Sequence, residues 1–144
     1  MGTCEDEIPL LHLLPLLQRI IGLTETHRKF GVTKSQIVIF IVLHYRESVT
    51  MSEIAKYISS SKEQATRAVA ALCDNGLVER YEDPGNRTHV YIRFTGTGKT
   101  YMEQLIREFR TDIFERLASS LDEDDIQNLN QAVMTTVEIL SKVK

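Results

Sequence analysis

A cluster of hydrogen-bonding side chains lies near the start of one predicted helix in the middle of the chain. Its members are Ser61, Lys62, Gln64, Thr66 and Arg67. Gln can form two hydrogen bonds with adenine, Arg and Lys favour guanine, and Thr can contact a thymine methyl group or a phosphate. The alternative is a solvated polar face, on which Ser61 and Gln64 only cap the helix. For Arg67 we favour contact with DNA.

The helix that carries this cluster, here called the reading helix, is predicted from its two ends and its apolar face. Ser61 and Gln64 have the Ser-x-x-Gln spacing of a capping box, in which each side chain satisfies a backbone N–H of the other residue. Asn75 and Gly76 supply a left-handed residue just beyond the last turn. Small and apolar residues between these ends share one face that can pack on the preceding helix. They are Ala65, Ala68, Val69 and Leu72, opposite Ile54, Ala55 and Ile58.

Two β-like stretches follow the reading helix and predict a β-hairpin. They cover residues 77–82 and 89–94, and the second alternates between apolar and polar side chains. Residues 83–88 between them read Asp-Pro-Gly-Asn-Arg-Thr and are rich in turn formers. Two short helices followed by a hairpin form a winged helix-turn-helix, an arrangement that reads DNA.

The hairpin tip contains one long cation, Arg87. It follows rigid Pro84 and flexible Gly85, so it could project into a narrow A·T-rich minor groove. Asp83 could orient its guanidinium group through a charge-assisted hydrogen bond. Otherwise Arg87 is an ordinary exposed charge and Asp83 is only a turn former.

A core helix is predicted before the reading helix. Gly31 ends an earlier helical pattern, and Thr33 and Gln36 repeat the spacing of a capping box. Residues 37–45 are apolar on nearly every side. Such a helix belongs in the interior.

Several short motifs occur in a set order along the chain. They are Thr33 to Gln36, Glu53 to Ala55, Ser61 to Leu72, Asn75 to Arg80, Asp83 and Arg87, and Phe94-Thr95 with Gly98. In this order they resemble the MarR family of bacterial transcription regulators, over nearly the whole chain. The hairpin tip of that family usually reads Asp-x-x-Asp-Arg-Arg, whereas Asn86 and Thr88 stand here at the second acid and the second arginine. Arg87, which similar family members insert into the minor groove, is retained.

The resemblance implies a mainly α-helical fold and a mode of action. Residues 1–144 would form a single MarR-type domain, with a winged helix-turn-helix and its two-stranded β-hairpin wing at 33–98, and with dimerisation helices at 8–30 and 100–144. A homodimer would bind a pseudo-palindromic operator in double-stranded DNA, as a repressor that a small-molecule effector releases. The implied effector pocket, between the dimer helices and the reading unit, could use Arg19, His27, Arg28, His44 or Tyr45.

Apolar terminal segments flank the predicted DNA-binding region. Residues 8–30 repeat large apolar side chains at helical spacing, and Pro15 predicts a kink or the true start of that helix. Residues 101–117 and 126–140 carry two more apolar stripes, and the acidic residues 122–125 suit a helix N-terminus. These helices could pack on each other within a monomer. We favour their interleaving with a second copy, which would place two reading helices roughly 34 Å apart on the DNA.

Composition is that of an ordinary globular protein, since 144 residues with 42% hydrophobic and 26% charged fit one compact domain. The net charge is −3, whereas a DNA-binding surface should be basic. Residues 51–99 carry seven basic and six acidic residues, and residues 100–144 carry five and nine, so the acid is concentrated away from the reading helix. The acidic total leaves open a second class, a winged-helix module that binds protein or serves only for dimerisation.

The N-terminal apolar stretch does not predict secretion or membrane insertion. Three acidic residues precede it in place of basic ones, and residues 8–17 are too few to span a bilayer. We therefore expect a cytoplasmic protein without a membrane partner.

The two cysteines have no metal-motif spacing, and a structural disulfide between them is disfavoured. Cys73 follows Val69 by four residues and is predicted to be a half-buried thiol. Cys4 precedes three acids, which disfavour its thiolate. A redox sensor, as in some MarR-like proteins, is the less favoured alternative.

Catalytic chemistry has little support in the sequence. The four histidines form no pair at helical spacing, so no metal is expected, and no cofactor motif is present. Gly96 and Gly98 lack the context of a phosphate-binding loop and are predicted to form a loop into the next helix. A small enzyme is the remotest alternative.

Overall fold

The structure, a computed structural model, describes residues 9–22 and 26–144, without the side chains of His27 and Arg87. Its elements are α1 (Pro9–Gly22), α2 (Thr26–Phe30), α3 (Lys34–Tyr45), β1 (Val49–Thr50), α4 (Met51–Tyr57), α5 (Lys62–Asp74), β2 (Val78–Asp83), β3 (Asn86–Phe94), α6 (Gly96–Ser120) and α7 (Glu123–Leu140). The chain divides into two compact units, Glu25–Glu108 and Met1–Thr24 with Phe109–Lys144. No helix in the described residues has both the length and the apolar character needed to cross a membrane.

Helix α3 supplies much of the core of the Glu25–Glu108 unit. The predicted capping box is confirmed, because Gln36 N donates to Thr33 Oγ1 at 3.2 Å and Thr33 N donates to Gln36 Oε1 at 3.1 Å. Phe40 is fully buried and lies 5.9 Å from the ring of Phe94 and 5.8 Å from the ring of Tyr101. The prediction of an interior helix holds for one side only, since Ile41 is 43% exposed.

Helices α4 and α5 form the helix-turn-helix pair. Thr50 and Glu53 make a capping box at the start of α4. Ile54 of α4 is buried, as are Ala65 and Val69 of α5, and the two helices contact each other. The packing that the apolar spacing predicted is therefore confirmed.

The wing belongs to a three-stranded antiparallel sheet with the order β1-β3-β2, one strand more than the predicted hairpin. The added strand β1 has two residues, and Val49 pairs with Ile92. A two-residue strand has no alternation to detect, so sequence spacing could not reveal it. Ile92 is buried and Arg93 is exposed, as the alternation predicted for β3 requires, but Val90 is 37% exposed, so the alternation holds only in part.

The glycines after β3 lie in the first turn of α6, so the predicted loop is wrong. Thr95 Oγ1 accepts a hydrogen bond from Gly98 N at 3.0 Å and donates one to Gly76 O at 2.6 Å, which starts the helix immediately after the strand. A Cβ atom on Gly98 would lie 1.8 Å from the carbonyl oxygen of Leu77. Glycine is required there by a close backbone approach.

The N-terminal and C-terminal segments are mainly helical where the structure describes them. The helix expected over residues 8–30 is recorded as α1 and α2, with residues 23–25 and Ile8 outside the described residues. Pro15 lies inside α1, so it does not mark the helix start. The prediction that the acidic residues 122–125 lie at a helix N-terminus is confirmed at α7. Asp122 is the N-cap, and its Oδ1 accepts a hydrogen bond from Asp125 N at 2.8 Å.

Candidate nucleic-acid interface

The reading helix is α5, and residues next to it in the sequence determine where it begins and ends. Ser61 Oγ accepts a hydrogen bond from Gln64 N at 3.2 Å. Gly76 has φ +71°, the left-handed conformation predicted to end the helix. The side chain of Gln64 does not bond back to Ser61, so the predicted capping box is only half formed. The Gln64 amide therefore makes no capping hydrogen bond. A role in the cap does not account for this side chain, which leaves it available to contact DNA.

The five polar residues predicted to contact DNA are all exposed on the first turns of α5. They are Ser61, Lys62, Gln64, Thr66 and Arg67. Burial of Ala65 and Val69 turns the opposite face of the helix outward. Thr66 Oγ1 donates to Lys62 O at 2.8 Å, so its hydroxyl hydrogen is already used. Neither Lys62 nor Arg67 has an ion-pair partner in the part of the chain that the structure describes.

The tip of the wing is tighter than predicted. Asn86 to Thr88 belong to β3, and Asp83 pairs with Asn86 across a turn through Pro84 and Gly85. The prediction of a six-residue tip is thus wrong. The pairing of β2 with β3 continues past an irregularity between Glu82 and Asp83, so only two residues form the turn.

Asp83 acts as a turn former in the structure. Its Oδ1 accepts a hydrogen bond from Gly85 N at 2.9 Å, the local bond that favours Asp in turns. The other carboxylate oxygen of Asp83 remains available to Arg87, whose side chain lies outside the described residues. Orientation of Arg87 by Asp83 therefore stays a prediction.

A groove of about 300 Å³ runs between α5 and the wing, beside the start of α4. Its lining residues come from five elements and include no acid: Lys62 and Thr66 from α5, Thr50 from β1, Met51 and Ser52 from α4, Arg80 from β2, and Thr88, His89 and Val90 from β3. Thr50, Ser52, Arg80, Thr88 and His89 were not predicted from the sequence. Residues far apart in the chain meet here, and spacing along the chain carries no signal for such a meeting.

Charge is divided unequally between the two compact units. Glu25–Glu108 contains twelve basic and ten acidic residues, a net charge of +2, and the other unit contains five and ten, a net charge of −5. Within Glu25–Glu108, three cations that do not line the groove are held in ion pairs: Lys29 with Glu108, Arg46 with Glu53 and Arg93 with Glu79. The reading helix and the groove therefore present cations that carboxylates do not neutralise.

The predicted effector residues are divided between the two compact units, with Arg19 in one and Arg28, His44 and Tyr45 in the other. Arg19 is exposed on α1 and Arg28 is exposed on α2, while the side chain of His27 lies outside the description. His44 and Tyr45 make an edge-to-face ring contact at 5.3 Å. His44 also lines a cleft of about 480 Å³ within the Glu25–Glu108 unit.

Cys73 is the cysteine that the structure describes, and it is free and partly buried, as predicted. Burial raises the pKa of its thiol, an effect that nearby Arg80 opposes and Asp74 reinforces. Cys4 lies outside the described residues. Among those that are described, no three histidine, cysteine or acidic side chains meet in a group that could hold a metal ion.

A helix-turn-helix followed by a hairpin wing, with exposed polar side chains and unpaired cations on the second helix, defines a winged helix-turn-helix DNA-binding protein. Residues 32–90 match the family model described as the MarR family. The multiple antibiotic resistance protein MarR of Escherichia coli is 24% identical over 107 residues, 74% of each chain. The HTH-type regulator YdgJ of Bacillus subtilis is 22% identical over 81% of this chain and 70% of its own. Residues 32–90 therefore belong to the MarR family of transcriptional regulators.

Solved structures share the fold at low sequence identity. Wild-type MarR from E. coli superposes with a TM-score of 0.74 and 23% identity, covering 91% of this chain and 98% of that one. NadR, solved in complex with 4-hydroxyphenylacetate, has a TM-score of 0.74 and 17% identity, and each chain is covered fully. The family is one of transcriptional regulators, so the protein is a DNA-binding regulator and not an enzyme.

Proposed function

We propose that this regulator reads a specific DNA sequence by inserting α5 into the major groove and the wing into the adjacent minor groove. The observation that carries the proposal is the outer face of α5, where Lys62, Gln64 and Arg67 are exposed and have no ion pair or hydrogen bond from their side chains in the described part of the chain. Side chains of these types can reach base edges and phosphates. On the wing, Asp83 and Arg87 are the proposed contacts, with Arg87 sensing the width and charge of the minor groove.

We propose that the binding species is a homodimer on a pseudo-palindromic operator. Leu11, Leu14 and Leu16 of α1 are more than half exposed, as are Val137 and Ile139 of α7. Neither helix contains a buried residue. Exposed large apolar side chains in this number mark an interaction site, and two-fold pairing of copies is the commonest way to cover them.

We further propose that the protein is a cytoplasmic repressor, released from DNA by a small molecule. The NadR complex with 4-hydroxyphenylacetate supports a small-molecule ligand for a protein of this fold. The proposed contact residues are Arg19, His27, Arg28, His44 and Tyr45. In support, the cleft lined by His44 also includes buried Leu43 and Met102, so it combines apolar and polar surface as ligand sites do.

Titration of the protein against DNA tests the proposal. Fluorescence anisotropy with the duplex upstream of its own gene and with a scrambled duplex should give tighter binding to the former. Light scattering of the complex should give two chains per duplex. Equal binding to both duplexes would contradict sequence-specific reading, and no binding to either would favour the alternative of a protein-binding winged-helix module.

A further inference from the structure

The groove between α5 and the wing adjoins the face of α5 that is proposed to read bases, and Lys62 and Thr66 belong to both. It is lined by two cations, Lys62 from α5 and Arg80 from β2, together with several hydroxyl-bearing side chains. Neither cation has an ion-pair partner in the described part of the chain. The groove is therefore positive, and no lining residue supplies a carboxylate.

The hydroxyl groups in the groove can donate hydrogen bonds to an anion. Thr50 Oγ1 accepts from Glu53 N at 3.2 Å, which leaves its own hydrogen to donate. Ser52 is exposed, and its side chain has no hydrogen bond among the described residues. Two cations and two hydroxyl donors around a space of about 300 Å³ suit a tetrahedral oxyanion.

The position of the groove identifies the source of that anion. A protein that puts a helix into the major groove and a hairpin into the neighbouring minor groove must pass over the sugar-phosphate strand that separates them. The space between α5 and the wing is where that strand has to lie. Phosphate contacts of this kind fix the register of a protein on the duplex without reading its sequence.

We propose that this groove seats a single backbone phosphate of DNA, held by Lys62 and Arg80 and hydrogen-bonded by Thr50 and Ser52. This inference rests on the proposed mode of DNA reading. The seated phosphate belongs to the strand that separates the major groove at α5 from the minor groove at the wing. It sets the distance between the two reading elements on the DNA.

A methylphosphonate scan tests the assignment. Each backbone phosphate of one cognate half-site is replaced in turn by a neutral methylphosphonate, and affinity is measured for the wild type and for Arg80→Gln. One substitution, between the bases under α5 and the minor groove under the wing, should weaken the wild type and weaken Arg80→Gln much less. If every substitution weakens the two proteins equally, Arg80 holds no phosphate and the proposal is wrong.

The salt dependence gives a second measurement. Arg80→Gln should reduce the slope of log affinity against log salt by about 0.9 per groove, or about 1.8 per dimer, equally on cognate and scrambled duplexes. Lys56→Gln is the matched control, because Lys56 is exposed on α4 and does not line the groove. A slope for Arg80→Gln that equals the slope for Lys56→Gln would overturn the proposal.

Two comparisons keep the outcomes distinct. Arg80→Lys keeps the charge and should restore most of the slope, whereas a variant that merely misfolds would lose binding and lower the unfolding temperature. Failure of the proposed reading mode would appear differently, as a wild-type protein that does not distinguish cognate from scrambled DNA at any salt concentration.

Discussion

The guanidinium group of Arg93 lies over the ring of Tyr81, 4.2 Å from its centroid. Its Nε also donates a 2.7 Å hydrogen bond to Glu79 Oε1 on the neighbouring strand. Tyr81 stacks on Tyr91, with ring centroids 5.5 Å apart. The outer face of the wing is thus held by a row of contacts between β2 and β3, while Ile92 on the inner face is buried.

Tyr81→Ala should loosen the wing, because it removes both the cation–π contact and the ring stack. We expect a loss of unfolding free energy of about 0.5–1.5 kcal/mol, the scale of one cross-strand pair with an exposed cation–π contact. Urea unfolding measures the loss, and amide exchange across β2 and β3 locates it. Tyr81→Phe keeps the ring and should behave as the wild type. If Tyr81→Ala matches Tyr81→Phe in both measurements, the row of contacts does not hold the wing.

Gly98→Ala should strongly destabilise the Glu25–Glu108 unit. The added Cβ would lie 1.8 Å from Leu77 O and 2.8 Å from Leu77 C, so the backbone must shift. Overpacking of this kind costs about 1–3 kcal/mol. Gly96→Ala is the matched control, since nothing lies within 4 Å of the added atom and both residues are in the first turn of α6. Thermal unfolding should separate the two variants, and similar melting temperatures would contradict the close approach seen at Leu77.

Cys73 should react slowly with oxidants and alkylating reagents at neutral pH. Burial raises the pKa of its thiol, and the thiolate is the reactive form. In the unfolded chain the thiol ionises at a lower pH than in the folded protein. The contribution of the Cys73 thiol to the free energy of unfolding is therefore fully present below the pKa of the unfolded chain. It is lost as the pH rises towards the higher pKa of the folded protein.

Mass spectrometry of iodoacetamide adducts, followed over pH in the folded protein and in urea, measures both effects. Cys73→Ser should bind DNA as the wild type does in the presence of peroxide. Peroxide-induced release of the wild type that is absent from Cys73→Ser would establish a redox sensor instead.

Val137→Glu should separate the proposed dimer. Val137 is 58% exposed on an apolar part of α7, and a carboxylate there would be buried without a partner if a second copy covers it. Light scattering should detect monomers, and affinity for the operator should fall because the two reading helices are no longer linked. Gln127→Glu introduces the same charge at an exposed polar position of α7 and should remain dimeric. A dimeric Val137→Glu variant would exclude this part of α7 from the interface.

Local signals predicted the ends of the reading helix, since the Ser61 cap and the left-handed Gly76 each depend on residues close in the chain. The missing bond from Gln64 to Ser61 was not predictable, because a long side chain has competing rotamers that spacing does not rank. Arg80 and Ser52 needed the tertiary fold to appear together in one groove. The family resemblance correctly indicated the winged helix-turn-helix. Contacts between distant segments could be identified only in the three-dimensional structure.

Arg67 and Arg87 should differ in the kind of DNA contact they make. Arg67 is exposed on α5 and without an ion pair in the described residues, so it should reach a base edge or an adjacent phosphate in the major groove. We expect Arg67→Ala to weaken the cognate site more than scrambled DNA, by about 1–3 kcal/mol for a bidentate base contact. Arg87→Ala should weaken both duplexes more evenly, because a minor-groove cation responds mainly to charge and groove width.

Anisotropy titrations of both variants, on both duplexes and at several salt concentrations, separate the two contacts. Arg87→Ala should lower the salt slope by about one phosphate equivalent per wing, whereas the main effect of Arg67→Ala should be on the ratio of cognate to scrambled affinity. Unchanged binding for Arg87→Ala would show that the wing stays off the DNA, where Asn86 and Thr88 already leave it with fewer charges. Unchanged binding for both variants would favour a winged helix that binds protein, because neither reading element would then contribute to DNA affinity.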